Sequence, residues 1–195
     1  MDKEGVMKSE FPVFGSKSIN RRNFMIAALG GGLALTVASA RAQPACPRAL
    51  SFHHTHTGEN LKVEYHDGRQ YLTDALKEVS HYLRDFRTGE IHPIDPGVLD
   101  ILHALLGRTN GRASSFHVIS GYRSPRTNAM LRQKSHGVAK RSLHMQGKAI
   151  DIRLPGCDTR HLYRAALSLK RGGVGYYGKS EFIHVDTGRV RTWKG

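Results

Sequence analysis

The sequence predicts an α+β fold, a small and mainly antiparallel sheet with helices packed on it. Three observations lead there. Segments with helical spacing alternate with segments that read as strands. The strands at either end of the region come as close pairs joined by short turns. They are also too few for a wound parallel sheet, which needs a long crossover between neighbours.

The elements follow in order. "ALSFHHTH" and "LKVEYH" flank the turn-rich tetrad "TGEN" and read as a β-hairpin. Tyr71, Leu72, Ala75, Leu76, Val79, Leu83 and Phe86 recur at helical spacing, so an amphipathic helix is expected over 70–87. Asp95 before Pro96 is an N-cap followed by proline at the first helical position. The helix after it turns Leu99, Leu102, Leu105 and Leu106 inward. "FHVIS" is a short strand, Ser124-Pro125 opens a helix running to Gln133, and 137–141 is a loop. A strand is expected over 147–153. Asp158 caps a helix carrying Leu162, Ala166 and Leu169, which ends at Gly172. "GVGYY" and "FIHVD" are strands separated by "GKSE". There is no internal repeat and no low-complexity tract.

The N-terminus is of another kind. Arg21 and Arg22 precede Phe24, and an apolar run from Met25 to Ala38 is followed by the small-residue sites Ala38-Ser39-Ala40 and Ala40-Arg41-Ala42. This order describes a signal peptide, and the paired arginines describe one of the twin-arginine type. The run is short for a membrane span, although an uncleaved anchor is the alternative. Residues 1–42 are therefore expected as a leader and 43–195 as a single domain, exported to the periplasm with no stable membrane span after cleavage.

Thirty Lys and Arg against 16 Asp and Glu give the chain a net charge of +14. The leader takes six basic and three acidic residues with it, which leaves +11. Such a charge calls for an acidic partner: nucleic acid, anionic lipid or an acidic wall polymer. No zinc-finger spacing and no aromatic RNA-binding signature is present. An exported chain of this charge rarely meets nucleic acid, so the expected partner is peptidoglycan, whose stem peptides carry free carboxylates. Cys46 and Cys157 have an oxidising compartment in which to pair, and the sequence does not decide whether they do.

The stretch "SLHMQGKAID" carries the chemistry. On a strand, Ala149 and Asp151 share one face while Ile150 and Ile152 share the other. His144 stands just before that strand, and Gly147 permits it to fold back. "FIHVD" repeats the pattern, with Ile183 and Val185 inward and His184 and Asp186 outward. Two histidines and a carboxylate on adjacent strands are a candidate zinc site with three protein ligands, which would leave a fourth position open to water, the catalytic arrangement.

"SGYRSPRTNAMLR", "SLHMQGKAIDI", "GGVGYY" and "SEFIHVDTGRVRTW" together resemble the zinc murein endopeptidases of the YcbK/MepK type. These sit in the wider group that holds the D-alanyl-D-alanine carboxypeptidases, the VanX-type dipeptidases and the hedgehog-like domains. "HTGENLKVEYHDG" and "IDPGVLD" extend the resemblance over nearly all of 43–195. It implies that His144, Asp151 and His184 ligate Zn²⁺ and that Arg123 faces an oxyanion or a substrate carboxylate. It offers Glu181, in "EFIH", as a general base, although a straight strand would turn it away from His184; Asp186 or another histidine is the alternative base. Asp186 either orients His184 or forms a strand-end salt bridge. The implied activity is hydrolysis of stem-peptide cross-links. A D-alanyl-D-alanine carboxypeptidase and a non-catalytic, zinc-containing wall-binding module are the alternatives. Oligomeric state is not legible. His53, His54 and His56 lie close together, but the first two should fall on opposite faces of one strand.

Overall fold

A computed structural model describes residues 46–109, 115–135 and 137–195, all within the compact unit Gln43–Gly195. The leader expected over 1–42 lies outside the described residues. The hairpin forms as expected, with β1 (Arg48–His54) antiparallel to β2 (Asn60–His66). Its alternation is that of a half-buried pair: Leu50, Phe52, Val63 and Tyr65 point into the core, and Lys62 and Glu64 point out.

The next helix is shorter than its spacing suggests. α1 spans Thr73–Tyr82, not 70–87. Tyr71 is held in a β-bridge with His66, and its hydroxyl donates to Asp100 at 2.7 Å, so the chain is still extended at Leu72. At the other end the Leu83 carbonyl accepts Tyr122 N–H at 2.8 Å. The buried Asp85 carboxylate takes the backbone N–H groups of Arg87 and Ser124. These long-range bonds replace the last helical turn, and no helical period reports them.

α2 (Pro96–Arg108) starts as expected, with the Asp95 carboxylate accepting Gly97 N–H at 2.9 Å. Leu99, Leu102 and Leu105 are fully buried. β3 (Phe116–Ser120) follows, then α3 (Pro125–Lys134), capped by Ser124 Oγ accepting Thr127 N–H. A 3₁₀ turn at Leu143–Gln146 leads through Gly147 into β4 (Ala149–Arg153). α4 (Thr159–Ser168) is capped by Asp158. β5 (Gly173–Tyr177) and β6 (Phe182–Asp186) are antiparallel partners joined through a 3₁₀ turn at Gly178–Ser180.

One strand was not expected. β7 (Arg191–Lys194) pairs in parallel with β5, because "RTWK" is too short and too polar to read as a strand by itself. Among the described residues the sheet therefore has seven strands, in the order β2-β1-β3-β4-β6-β5-β7. It is mainly antiparallel, with parallel pairings only at β1–β3 and β5–β7. Among the described residues four α-helices accompany it, which is the α+β class the sequence indicates. Ile150, Ile152, Val174, Ile183 and Val185 from the sheet join the leucines of α2 and Leu162 of α4 in one core. None of the helices among the described residues is long and apolar enough to cross a membrane.

Gly147 sets the approach to β4. It adopts φ 64°, and a Cβ there would run into the Pro93 carbonyl. The Gly147 carbonyl accepts Asp95 N–H at 2.9 Å, which ties the start of α2 to the start of β4. Gly147→Ala combines a left-handed backbone with a backbone collision. It should cost about 2–4 kcal/mol of stability, read as a lower urea midpoint at unchanged slope.

Candidate active site

Cross-strand register builds the site. β4 and β6 pair so that Asp151 stands directly opposite His184, and Ala149 opposite Asp186. Side chains alternate across a strand, so Ile150, Ile152, Ile183 and Val185 enter the core while Asp151, His184 and Asp186 share the other face. The 3₁₀ turn brings His144 to the same place. Its carbonyl accepts Arg123 N–H at 3.2 Å, which joins the turn to the segment after β3.

The three side chains converge. His144 Nε2 lies 3.1 Å from His184 Nδ1 and 3.3 Å from Asp151 Oδ1. His184 Nδ1 lies 2.9 Å from Asp151 Oδ1. All three residues are buried, and one ligand atom from each falls within 4.8 Å of the others. The remaining nitrogen of each imidazole has a partner that fixes its tautomer. His144 Nδ1 donates to the Gly121 carbonyl at 2.7 Å, and His184 Nε2 donates to Asp186 Oδ2 at 3.0 Å. His144 therefore presents a lone pair to the shared point, and His184 does so once its Nδ1 proton, held by Asp151, is displaced.

The electrostatics of Asp151 and His144 match a cation site, and a bound ion would have to displace a proton from His184. Burial opposes ionisation of Asp151, but His144 and His184 beside it hold its carboxyl well below the usual carboxylate range. Burial pulls the His144 imidazole down and favours the neutral form that a metal needs. Burial also opposes a charged His184, yet its hydrogen bonds to Asp151 and Asp186 push its pKa up to about 9. Two imidazoles and one carboxylate in a buried cluster, with both tautomers fixed from behind, fit a zinc ion as donor set and as environment.

Asp186 takes both roles that the sequence left open. Its carboxylate accepts from His184, from the Gly173 and Gly188 backbone N–H groups, and from Arg191 through both terminal nitrogens. Burial opposes its ionisation, but these donors outweigh burial and hold its pKa far below normal. A carboxylate with every lone pair engaged orients His184.

Arg123 is brought to the site. Its guanidinium is largely buried, with Nη2 3.8 Å from Asp151 Oδ2, and its Nε has no partner among the described residues. Glu181 is not brought there. It sits at the end of the 3₁₀ turn with φ 52°, its side chain exposed to solvent, and it does not line the pocket. That left-handed bend places it outside the strand whose alternation would have to aim it. The histidines of β1 are remote from the pocket as well. His54 is buried and His53 faces Asn60 on the exposed side, the opposite-face placement that alternation gives.

The triad opens into a pocket of about 310 Å³. Several of its walls were not anticipated. Tyr177 and Phe182 stack at 4.5 Å, and Trp193 donates its indole N–H to the Tyr177 hydroxyl at 3.0 Å. The Trp193 ring also lies 5.1 Å from His184. A sequence signal for this wall exists in the alternating glycines of "GGVGYY". A Cβ at Gly173 would collide with the Arg191 guanidinium, and one at Gly175 with the Trp193 indole. The glycines clear one face of β5 for the side chains of β7. Asp85 was also missed. It fixes the backbone of Ser124 and hence the placement of Arg123. The two cysteines, Cys46 and Cys157, are free thiols.

A pocket of this kind, with a buried His-Asp-His triad at its floor and a guanidinium beside it, belongs to a metal-dependent hydrolase. Residues 42–193 match the family model described as "Peptidoglycan L,D-endopeptidase MepK", and the chain belongs to this zinc-dependent peptidase family. The "Peptidoglycan L,D-endopeptidase MepK" of Escherichia coli is 43% identical over 177 residues, covering 89% of this chain and 97% of its own length. That of Shigella flexneri matches to the same extent. The "Probable peptidoglycan L,D-endopeptidase MepK" of Haemophilus influenzae is 45% identical over 149 residues, covering 76% of this chain and 80% of its own.

Proposed function

We propose that the protein is a zinc-dependent murein endopeptidase that hydrolyses stem-peptide cross-links in the periplasm during growth or remodelling of the cell wall. The buried triad of His144, Asp151 and His184 at the floor of an open pocket supports this most directly. Membership of the family supports the substrate class.

His144, Asp151 and His184 would hold the zinc. When bound, zinc supplies Lewis acidity toward a peptide carbonyl and toward water. The chain does the rest. The Gly121 carbonyl and Asp186 keep both imidazoles in the ligating tautomer. Arg123 offers an unpaired N–H and a forked cation beside Asp151, placed for negative charge that develops on the substrate carbonyl. Tyr177, Phe182 and Trp193 form an apolar wall against which the peptide lies and from which water is displaced. Glu181 serves as general base only if the turn at 178–181 swings toward the pocket. Asp186 acts through His184 and is a positioning residue.

That role for Asp186 has its own expected outcome. Asp186→Asn keeps the shape but offers His184 an amide in place of a carboxylate, and it leaves Arg191 without its partner. Zinc affinity should fall about 10- to 100-fold, measured by competition with a chelator. Export follows the leader. Arg21→Lys with Arg22→Lys should leave precursor in the cytoplasm, and normal processing of that double variant would remove the twin-arginine route.

The function itself is tested by digestion of purified muropeptides. Cross-linked dimers should fall to monomers, with monomers left intact. Release of terminal D-alanine from monomers without loss of dimers would make the protein a carboxypeptidase instead.

A further inference from the structure

Charge is distributed unevenly along this chain. Between Asp100 and Asp151 there is no aspartate or glutamate, but there are nine lysines and arginines. Several carboxylates elsewhere have cations of their own: Glu59 pairs with Arg84, Asp74 with Lys77 and Asp100 with Arg48. Arg126, Arg132 and Lys134 on α3 are exposed, as are Lys140 and Arg141 in the loop that follows. Among the described residues none of these five forms an ion pair.

This cationic element adjoins the pocket. α3 leaves from Arg123 and ends at Ser135, both of which line the pocket, and Arg141 lines it farther along. Asn128 on α3 also donates to the Ala139 carbonyl at 3.2 Å, which ties the helix to that loop. Arg132 and Lys134 meet the C-terminal end of the α3 dipole, but otherwise folding gains little from five neighbouring cations without partners, since they repel one another. A ligand with repeated negative charge gains from all of them.

We infer that α3 and the loop after it form a docking surface for an anionic polymer, the carboxylate-bearing stem peptides that neighbour the one being cut. The inference rests on the murein reading of the pocket and adds to it a second, non-catalytic contact with the same polymer. The composition of α3 separates this partner from other polyanions. The helix has no aromatic side chain on which a nucleobase could stack. Its exposed positions carry no large apolar residue to enter a lipid surface.

The test uses the full chain with Arg126→Gln, Arg132→Gln and Lys134→Gln combined, leaving the pocket-lining Arg123 and Arg141 in place. Turnover of a soluble cross-linked muropeptide dimer should stay within about twofold of the parent. Retention on isolated sacculi at low salt should fall about tenfold, and its dependence on salt should flatten. The charge-preserving set Arg126→Lys, Arg132→Lys and Lys134→Arg should restore retention. Unchanged retention with unchanged salt dependence would overturn the surface. An equal loss on soluble dimers would also overturn it, because these residues would then serve the pocket. Tighter binding to anionic phospholipid vesicles or to duplex DNA than to sacculi would overturn the partner. If the parent chain binds sacculi but leaves soluble dimers uncut, the murein reading fails while the docking surface stands.

Discussion

His144→Ala should abolish hydrolysis of cross-linked muropeptides, by more than about 1000-fold, while leaving a folded protein. The side chain gives one of three donors to the shared point and is buried against the Gly121 carbonyl. Removing it leaves one imidazole and one carboxylate, too few to hold zinc firmly at an open site. The fold should survive, because the neighbouring β4–β6 ladder and the core behind it do not use this ring. Far-ultraviolet circular dichroism checks the fold, and a muropeptide digest checks the activity. Activity retained within about tenfold would mean that His144 is not a ligand.

Arg123→Lys should lower turnover about 100- to 1000-fold with zinc retained, as loss of one oxyanion donor does in other hydrolases. Lysine keeps the charge but loses the planar fork and the buried, unpaired Nε. The kinetic split then identifies what Arg123 faces. A fall in kcat assigns it to charge formed in the transition state. A rise in KM at constant kcat assigns it to a substrate carboxylate held equally in both states. Near-parent activity of Arg123→Ala would remove the residue from the mechanism.

The core of the site was legible because it rests on a period of two. Ile150 and Ile152 alternate with Asp151, and Ile183 and Val185 with His184 and Asp186, and facing Asp151 and His184 to one side follows once both aliphatic pairs must be buried. The caps at Asp95, Ser124 and Asp158 were legible for a similarly local reason, since each bonds a backbone N–H two or three residues ahead. What was not legible depends on distant parts of the chain. α1 ends early because Tyr122 and Ser124 claim Leu83 and Asp85. β7 exists because Gly173 and Gly175 leave room for Arg191 and Trp193, and four residues, three of them polar, show nothing of this by themselves. Glu181 shows the converse. The spacing E-x-x-H suggested a partner for His184, but the left-handed bend at 181 breaks the alternation on which that suggestion depended.

Zinc content decides whether the triad is the centre of the chemistry. Elemental analysis of the parent chain, His144→Ala and His184→Ala, each purified alike and assayed on cross-linked muropeptides, should give about one zinc in the parent. Both variants should be depleted of zinc and inactive. Full zinc occupancy in both variants, or full activity of a parent stripped of metal, would contradict the assignment of the site to His144, Asp151 and His184.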